Sequence, residues 1–302
     1  MERALIIREG SLGDTILTLP VFQTLRKNGF KIEFFGRREF LELLLKLSCI
    51  DGGIPSDSYL LSPIFSKNCD IPQKLIEYFK KFDLIISYTH PSEILTENIK
   101  KIASCKLIVH PPFYKNLKIH ISDYLLSPLE NLFSNIERTP QVKIKRKKGK
   151  YLVIHPGSGS KIKNWPVENF LSVYEYFQKN AFILLGPAES EQVPFWESKA
   201  GKEKLIINPE WDKLIEIMEN TDIYIGNDSG ITHLFASAGI KTVAIYGPTD
   251  PEIWGPRGKN VKILWKKVKC SGCDEEMKKK CKEKICLKEI KVEEVIEAVL
   301  NF

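Results

Sequence analysis

The chain has 302 residues, of which 43% are hydrophobic, and a formal net charge of +7. This length is too great for one ordinary α/β domain and suits two. No apolar run approaches the roughly 20 residues of a membrane-spanning helix. Charges interrupt the N-terminus where a signal peptide has its apolar stretch, so we expect a cytoplasmic protein. The positive charge suits an anionic partner, although charge alone is better explained by a lysine-rich surface.

In the first half, short apolar segments alternate with amphipathic ones. Such patterns predict strands and helices respectively. We expect Gly29 to end the first helix, Pro20 to lie near its first turns or at a kink, and Pro128 to break the last helix. The predicted strands are 4–8, 31–36, 82–88 and 105–110; the helices are 14–29, 38–47 and 124–136; the loops are 49–72 and 111–122.

Residues 141–150 are charged and read as an exposed connector, after which the alternation restarts. Continuous Val/Ile/Leu runs between helices predict parallel strands that are buried on both faces. We therefore expect two doubly wound α/β domains, 1–145 and 150–290, and a C-terminal helix within 291–302 that is a candidate to pack across the domain boundary. The strands of the second half are predicted at 151–155, 181–186, 204–208, 223–227 and 241–247.

Several polar loops follow predicted strands, where open parallel sheets bind their ligands. The first is "REGSLGDT" (8–15), in which glycines such as Gly13 allow a tight turn at a helix start. Asp14 then opens the helix. By itself it is explained as a helix cap, and its functional reading is a general base facing a cleft.

The loop "HPGSGSKIK" (155–163) opens the second half. Gly157 and Ser158 supply a small loop with a hydroxyl donor, and Lys163 adds a charge. Small donors and a lysine suit a diphosphate held without a metal. A glycine turn beside a solvated lysine is an equal alternative.

Two further loops carry polar side chains. In "GPAESEQ" (186–192), Glu189 or Glu191 could bind ribose hydroxyls, although a helix start favours acidic residues in any case. The loop "GNDSGITH" (226–233) has more polar groups than one helix cap requires. We expect the helix start to hold a phosphate and the acidic side chain to point towards sugar hydroxyls, with the histidine one turn along; the candidates are Asp228, Ser229, Gly230 and His233.

Metal ligands are hard to find in this sequence. No Asp-x-Asp pair is present, which predicts a donor site that works without a metal ion. Four cysteines are clustered with C-x2-C-x7-C-x4-C spacing, and metal binding, disulfides and free thiols are equally compatible with it; they are Cys270, Cys273, Cys281 and Cys286. The scattered Cys49, Cys69 and Cys105 are expected to be buried thiols.

Four motifs together resemble the ADP-heptose:lipopolysaccharide heptosyltransferases. They appear in that family's order, as "IIREGSLGDTILTLPVFQTLR", "IHPGSGSKIKNWPVENF", "LLGPAESE" and "YIGNDSGITHLFASAGIKTVAIYGPTDPEIWGP". The resemblance implies a GT-B fold, with two doubly wound domains facing a cleft, and inverting transfer of heptose from ADP-heptose to the Kdo or heptose of a lipopolysaccharide core. The first domain would bind the acceptor and the second the donor.

The resemblance also implies roles for single residues. Asp14 would be the general base and Lys163 would bind the diphosphate. Glu191 would bind the ribose. The remaining donor contacts would come from Gly13, Gly157, Ser158, Asp228, Ser229, Gly230 and His233. No metal ion or other cofactor is implied, and no nucleic acid.

The implied acceptor is an anionic glycolipid at the inner face of the cytoplasmic membrane, which would place the protein peripherally there and give the +7 charge a partner. Acceptor-binding candidates in the first half are Lys115, Lys118 and His120, although a solvated loop explains them as well. Two other functions fit the same fold: a non-catalytic binder of sugar nucleotides or glycolipids, and a nucleotide-sugar epimerase.

Overall fold

The computed structural model describes residues 1–67, 70–114, 117–147, 149 and 151–302, with only the backbone of Glu275. The chain divides into two compact units, Met1–Pro140 and Gln141–Phe302. Each unit is built around its own parallel sheet.

The first unit contains a five-stranded sheet with the order β3-β2-β1-β4-β5, in which all pairs are parallel. Its strands are β1 (Arg3–Ile7), β2 (Lys31–Gly36), β3 (Gly52–Pro55), β4 (Leu84–Ser87) and β5 (Lys106–Val109). Its helices are α1 (Leu12–Leu17), α2 (Leu19–Lys27), α3 (Arg38–Lys46), α4 (Gln73–Phe79), α5 (Ile94–Ile102) and α6 (Ile121–Leu126), with 3₁₀ turns at Tyr59–Phe65 and Ser127–Leu129.

The second unit contains a six-stranded parallel sheet with the order β11-β10-β9-β6-β7-β8, the strand order of dinucleotide-binding folds. Its strands are β6 (Tyr151–His155), β7 (Ala181–Leu185), β8 (Leu205–Ile207), β9 (Thr221–Asn227), β10 (Lys241–Tyr246) and β11 (Val261–Trp265). Its helices are α7 (Val167–Phe177), α8 (Val193–Ala200), α9 (Trp211–Asn220), α10 (Gly230–Ser237), α11 (Pro251–Trp254), α12 (Glu275–Lys280), α13 (Ile285–Lys288) and α14 (Val292–Leu300). Short 3₁₀ turns lie at Lys161–Lys163, Pro187–Gln192 and Lys202–Lys204.

The central strands are apolar because both of their faces are covered. In β1 and β10 every residue but the first is buried. The core of the second unit joins strand residues such as Ile154 and Ile245 to Trp165 and Trp196 on the covering segments. This confirms the predicted fold class, two doubly wound α/β units.

Several predicted elements of the first half were wrong in extent. The first helix is two helices that meet at Thr18, and Pro20 is accommodated at the start of the second one. The predicted loop 49–72 contains β3 and the 3₁₀ turn 59–65, and helices α4 and α5 were missed. The helix predicted at 124–136 is shorter and starts earlier, at Ile121. Gly29 does follow the end of α2, with a positive φ of 89° that suits glycine.

Both ends of the second unit make contacts with its other elements. Residues 141–147 are not a free connector, because the Val142 and Lys147 amides donate to the carbonyls of Ser237 and Glu219. The C-terminal helix α14, the candidate for packing across the boundary, packs on α7 and on strands β10 and β11 of its own unit.

Candidate active site

In the first unit, Asp14 lies in the first turn of α1, directly after Gly13. Ser11 caps this helix, and its backbone N–H and hydroxyl donate to Asp14 Oδ2 at 2.8 and 2.7 Å. Arg8 Nη2 donates to Asp14 Oδ1 at 3.0 Å. A side chain at Gly10 would lie 2.9 Å from Oδ2, so the close wrap of the loop around the carboxylate requires glycine there. Asp14 is thus the third residue of the helix and forms a capping box with Ser11, rather than being the N-cap itself, and its carboxylate is 27% exposed and available to a ligand.

In the second unit, two predicted donor residues meet. Strands β6 and β9 are neighbours, so the loops that follow them lie side by side. Lys163 comes from the first loop and Asp228 from the second, and Lys163 Nζ lies 2.7 Å from Asp228 Oδ2. The carboxylate is 7% exposed, whereas the lysine is 28% exposed. The pair places the Lys163 ammonium, with its charge balanced by the Asp228 carboxylate, at the carboxyl ends of the two central strands.

Asn227 fixes the position of the loop that carries Lys163. Its Nδ2 donates to the carbonyls of Pro156 and Gly157 at 2.9 and 3.2 Å, and its Oδ1 accepts from the Trp165 amide at 2.9 Å. The sequence motif does not distinguish this side chain from its polar neighbours. The signal for it was present, since an amide side chain that ends a buried strand needs several partners.

The predicted hydroxyl donors are committed within the protein. Ser158 Oγ donates to Asn164 Oδ1 at 2.6 Å. Ser229 is the N-cap of α10, and its hydroxyl accepts from the Thr232 amide at 3.2 Å. Gly230 is the first residue of that helix. The start of α10, which lies directly after Asp228, adds the positive end of a helix dipole to the Lys163 side of the sheet.

The two glutamates of "GPAESEQ" differ sharply. Glu189 is buried, and its Oε2 accepts from the Gly186 amide at 2.8 Å and lies 3.4 Å from His155 Nε2. Burial alone would raise the pKa of Glu189, but the His155 ring and the Gly186 amide outweigh burial, and the pKa is lowered. Glu191 is 77% exposed and pairs with Lys161 on the surface. The structure therefore does not bring Glu191 into the buried network.

His155 extends this network under α10. Tyr224 Oη lies 3.2 Å from His155 Nδ1 and 3.0 Å from the Thr232 hydroxyl. His233 is buried one turn into α10, and its Nε2 lies 3.5 Å from Tyr246 Oη. The role of His155 was not predicted, because a histidine at the end of a strand does not reveal its buried neighbours.

The sequence that contains the second-unit loops matches a known protein family. The sequence model of glycosyltransferase family 9 (heptosyltransferase) matches residues 121–285, more than half of the chain. The chain belongs to glycosyltransferase family 9. A lipooligosaccharide heptosyltransferase 2 from Campylobacter jejuni is 30% identical over 198 residues, which cover 62% of this chain and 59% of that protein. This chain thus spans less than two thirds of that relative.

Two solved structures share the fold over nearly the whole chain. A family 9 glycosyltransferase from Veillonella parvula is 24% identical with a TM-score of 0.79, covering 99% of this chain and 96% of that one. The E. coli ADP-heptose LPS heptosyltransferase II is 13% identical with a TM-score of 0.75, covering 100% and 98%. At this identity the likeness concerns the fold, and it confirms the GT-B class for this family 9 chain.

The cysteines of this family 9 chain are free thiols wherever the structure describes them. Among the residues that the structure describes, no group of three or more His, Cys, Asp or Glu side chains could hold a metal ion. In the C-terminal cluster, Cys286 is buried, and burial and the neighbouring thiols raise its pKa to about 11. Cys49 and Cys105 are half-buried, and Cys69 lies outside the described residues.

In the basic loop that was a candidate for acceptor binding, one of the three residues has a role in capping a helix. His120 is buried and caps α6, with its Nδ1 accepting from the Ser122 amide at 3.2 Å. Lys118 is exposed, and Lys115 lies outside the described residues. No helix in the described part of the chain combines the length and apolar character that a membrane span requires.

Proposed function

We propose that this protein transfers heptose, with inversion, from ADP-heptose to the Kdo or heptose of a lipopolysaccharide inner core. Family membership supports a glycosyltransferase. The names of the Campylobacter relative and of the E. coli structure support heptose, the ADP-linked donor and a lipopolysaccharide-type acceptor. The acceptor would be an anionic glycolipid reached at the inner face of the cytoplasmic membrane, where a chain of net charge +7 gains from anionic headgroups.

The observation that carries the proposal is the Lys163–Asp228 pair at the ends of β6 and β9. An ammonium group has three N–H donors. Lys163 Nζ lies 2.7 Å from Asp228 Oδ2, so the ion pair positions the lysine, whose N–H donors would bind phosphate oxygens. The start of α10 adds backbone N–H groups and a favourable dipole for the same anion. This arrangement suits a nucleoside diphosphate.

The ribose contact is assigned to Glu191 in this proposal. Glu189 cannot serve easily, because its carboxylate already binds the Gly186 amide and the His155 ring inside the protein. Glu191 is exposed, and its partner Lys161 is an exposed lysine that a ribose could displace at little cost.

In the reaction, Asp14 takes the proton from an acceptor hydroxyl while that oxygen attacks the anomeric carbon. The bond from this carbon to the diphosphate breaks, its electron pair leaves with ADP, and the configuration inverts. A general base typically contributes about 10²–10⁴-fold. Negative charge grows on the leaving oxygen, and Lys163 and the α10 terminus would stabilise it there.

The test combines binding and turnover. Calorimetry with ADP, UDP and GDP should show tightest binding of ADP. Asp14→Asn should lower the rate of transfer from ADP-heptose to a core acceptor by about 10²–10⁴-fold and keep ADP affinity. Asp57→Asn, which changes an exposed carboxylate of the same unit, should behave as the wild type. Normal transfer by Asp14→Asn would reduce Asp14 to a helix cap. Donor binding without transfer would favour a binding protein, and conversion of the donor alone would favour an epimerase.

A further inference from the structure

Arg8 is a buried cation beside the proposed base. It follows the last residue of β1, and its side chain is 2% exposed. Its Nη2 donates to Asp14 Oδ1 at 3.0 Å, whereas its Nε has no hydrogen-bond partner among the described residues. A buried charge with incomplete hydrogen bonding is unfavourable for folding and needs another reason to be present.

Neighbouring aromatic side chains and the backbone hold the Arg8 guanidinium in one place. Its carbon lies 6.0 Å from the centre of the Tyr88 ring, and Tyr88 and Tyr124 are the other titratable groups that face it. Both phenols donate away from it, to the carbonyls of Leu125 at 2.6 Å and Pro111 at 2.9 Å. The Arg8 amide is bound to the Phe35 carbonyl at 2.9 Å, so the backbone is fixed as well.

The hydrogen bonds to Asp14 are unequal on its two oxygens. Each carboxylate oxygen has two acceptor positions. On Oδ2 both are occupied by the amide and hydroxyl of Ser11, and on Oδ1 one is occupied by Arg8. One acceptor position therefore remains, and it is on Oδ1.

We propose that Arg8 is a positioning residue that orients Asp14 so that Oδ1 accepts the proton of the acceptor hydroxyl. This rests on the proposed function of Asp14 as the base. In the step, the acceptor O–H bond breaks and its proton binds Oδ1, while the oxygen bonds to the anomeric carbon and ADP departs with the electron pair. Arg8 touches no reacting atom and acts through Asp14.

The experiment compares Arg8→Met, Arg8→Lys, Asp14→Asn and the double variant Arg8→Met/Asp14→Asn. Misplacement of a catalytic group by about 1 Å can cost about 10²-fold, so we expect Arg8→Met to lower kcat by about that factor and to change KM and ADP affinity little. Arg8→Lys should restore part of kcat, because an ammonium can pair with Oδ1 without the planar fork. The double variant should be no slower than Asp14→Asn alone, because Arg8 has no route to the reaction without the carboxylate.

The control is Arg38→Met, which removes an exposed arginine of the same unit that makes two bonds to Asp57, at 2.9 and 3.1 Å. If Asp14→Asn is strongly slowed while Arg8→Met turns over like Arg38→Met, the role of Arg8 is refuted and the function of Asp14 stands. A double variant slower than Asp14→Asn also refutes it. If Asp14→Asn transfers normally, both proposals fall. Should Arg8→Met not fold, the kcat and KM of Arg8→Lys decide: a rise in KM alone overturns the positioning role.

Discussion

The tight packing of Gly157 against Glu189 makes one substitution decisive. A Cβ added at Gly157 would lie 1.9 Å from Glu189 Oε1 and 2.0 Å from its Cδ. The reason for glycine is space rather than backbone conformation, because the φ of Gly157 is not positive. Glu189 cannot move aside freely, since it is buried and bound to the Gly186 amide and the His155 ring. Gly157→Ala must therefore displace Glu189 or the loop that precedes Lys163.

The size of the effect follows from what is lost. Hydrogen bonds to charged groups are worth about 1.5–3 kcal/mol each, and overpacking a core costs about 1–3 kcal/mol. Because the structure relaxes to avoid the full sum, we expect Gly157→Ala to destabilise the second unit by about 2–4 kcal/mol. The control is Gly159→Ala in the same loop, where an added Cβ meets nothing within 4 Å. That change should stay within about 0.5 kcal/mol.

Urea unfolding followed by tryptophan fluorescence measures the right unit, because all five tryptophans lie in the second half; they are Trp165, Trp196, Trp211, Trp254 and Trp265. ADP calorimetry on the same variants tests whether the loop also binds the donor, and Gly157→Ala should weaken ADP binding more than Gly159→Ala. In a Glu189→Ala background, Gly157→Ala should add little further loss, since the clash is gone. Equal stability of the two alanine variants would refute the steric argument.

Three further predictions concern the same unit and the thiols. Lys163→Ala should weaken ADP binding by about 1.5–3 kcal/mol and lower kcat as well, and Lys163→Arg should restore part of both. The control is Lys179→Ala, which removes an exposed lysine and should leave ADP affinity unchanged. If Lys163→Ala also leaves ADP affinity unchanged, Lys163 is only a surface lysine. The folded pKa of Glu189 is lowered, so its stabilisation is fully present above its unfolded pKa of about 4.3 and is lost as the pH falls below that value through the folded pKa. The urea midpoints of wild type and Glu189→Gln should therefore differ by a constant amount above about pH 5 and converge only as the pH falls below about 4.3. Burial raises the pKa of Cys49 to about 12, and burial with the neighbouring thiols raises the pKa of Cys286 to about 11. At pH 8 an alkylating reagent should therefore modify the exposed Cys270 first. Mass spectrometry of the digested protein measures the order of labelling, and earlier labelling of Cys49 or Cys286 would contradict the prediction.

The sequence predicts the second half of this protein better than the first. The runs of β6, β9 and β10 are continuous and apolar, because these strands lie in the middle of the sheet with both faces covered. Of the four edge strands, β5 and β8 were predicted, whereas β3 and β11 were missed. An edge strand has only one neighbour and does not need a continuous apolar run, so a short one such as β3, with the sequence GGIP, is easily taken for a loop.

Motif spacing also located the strand ends where the candidate site lies, since a polar loop after a buried strand of a parallel sheet has few other places to be. Asp14, Lys163 and Asp228 were found in this way. The residues that pair with them or support their loops were not found: Arg8 and His155 looked like the ends of strands, and Asn227 like part of a turn. Each is defined by what it contacts at a distance along the chain, and composition does not record such contacts.

Glu189 and Glu191, two glutamates of one short loop, show the difference between what the sequence determines and what the tertiary structure decides. The sequence places Glu189 and Glu191 at the same helix start with the same charge, and only the family resemblance, not their local pattern, distinguishes them. The tertiary structure buries the first against Gly157 and His155 and leaves the second in water. The local sequence determines which side chains are present at a turn. Whether each side chain is buried, and which charge it pairs with, depends on residues that follow other strands, and those residues come close only when the sheet has formed.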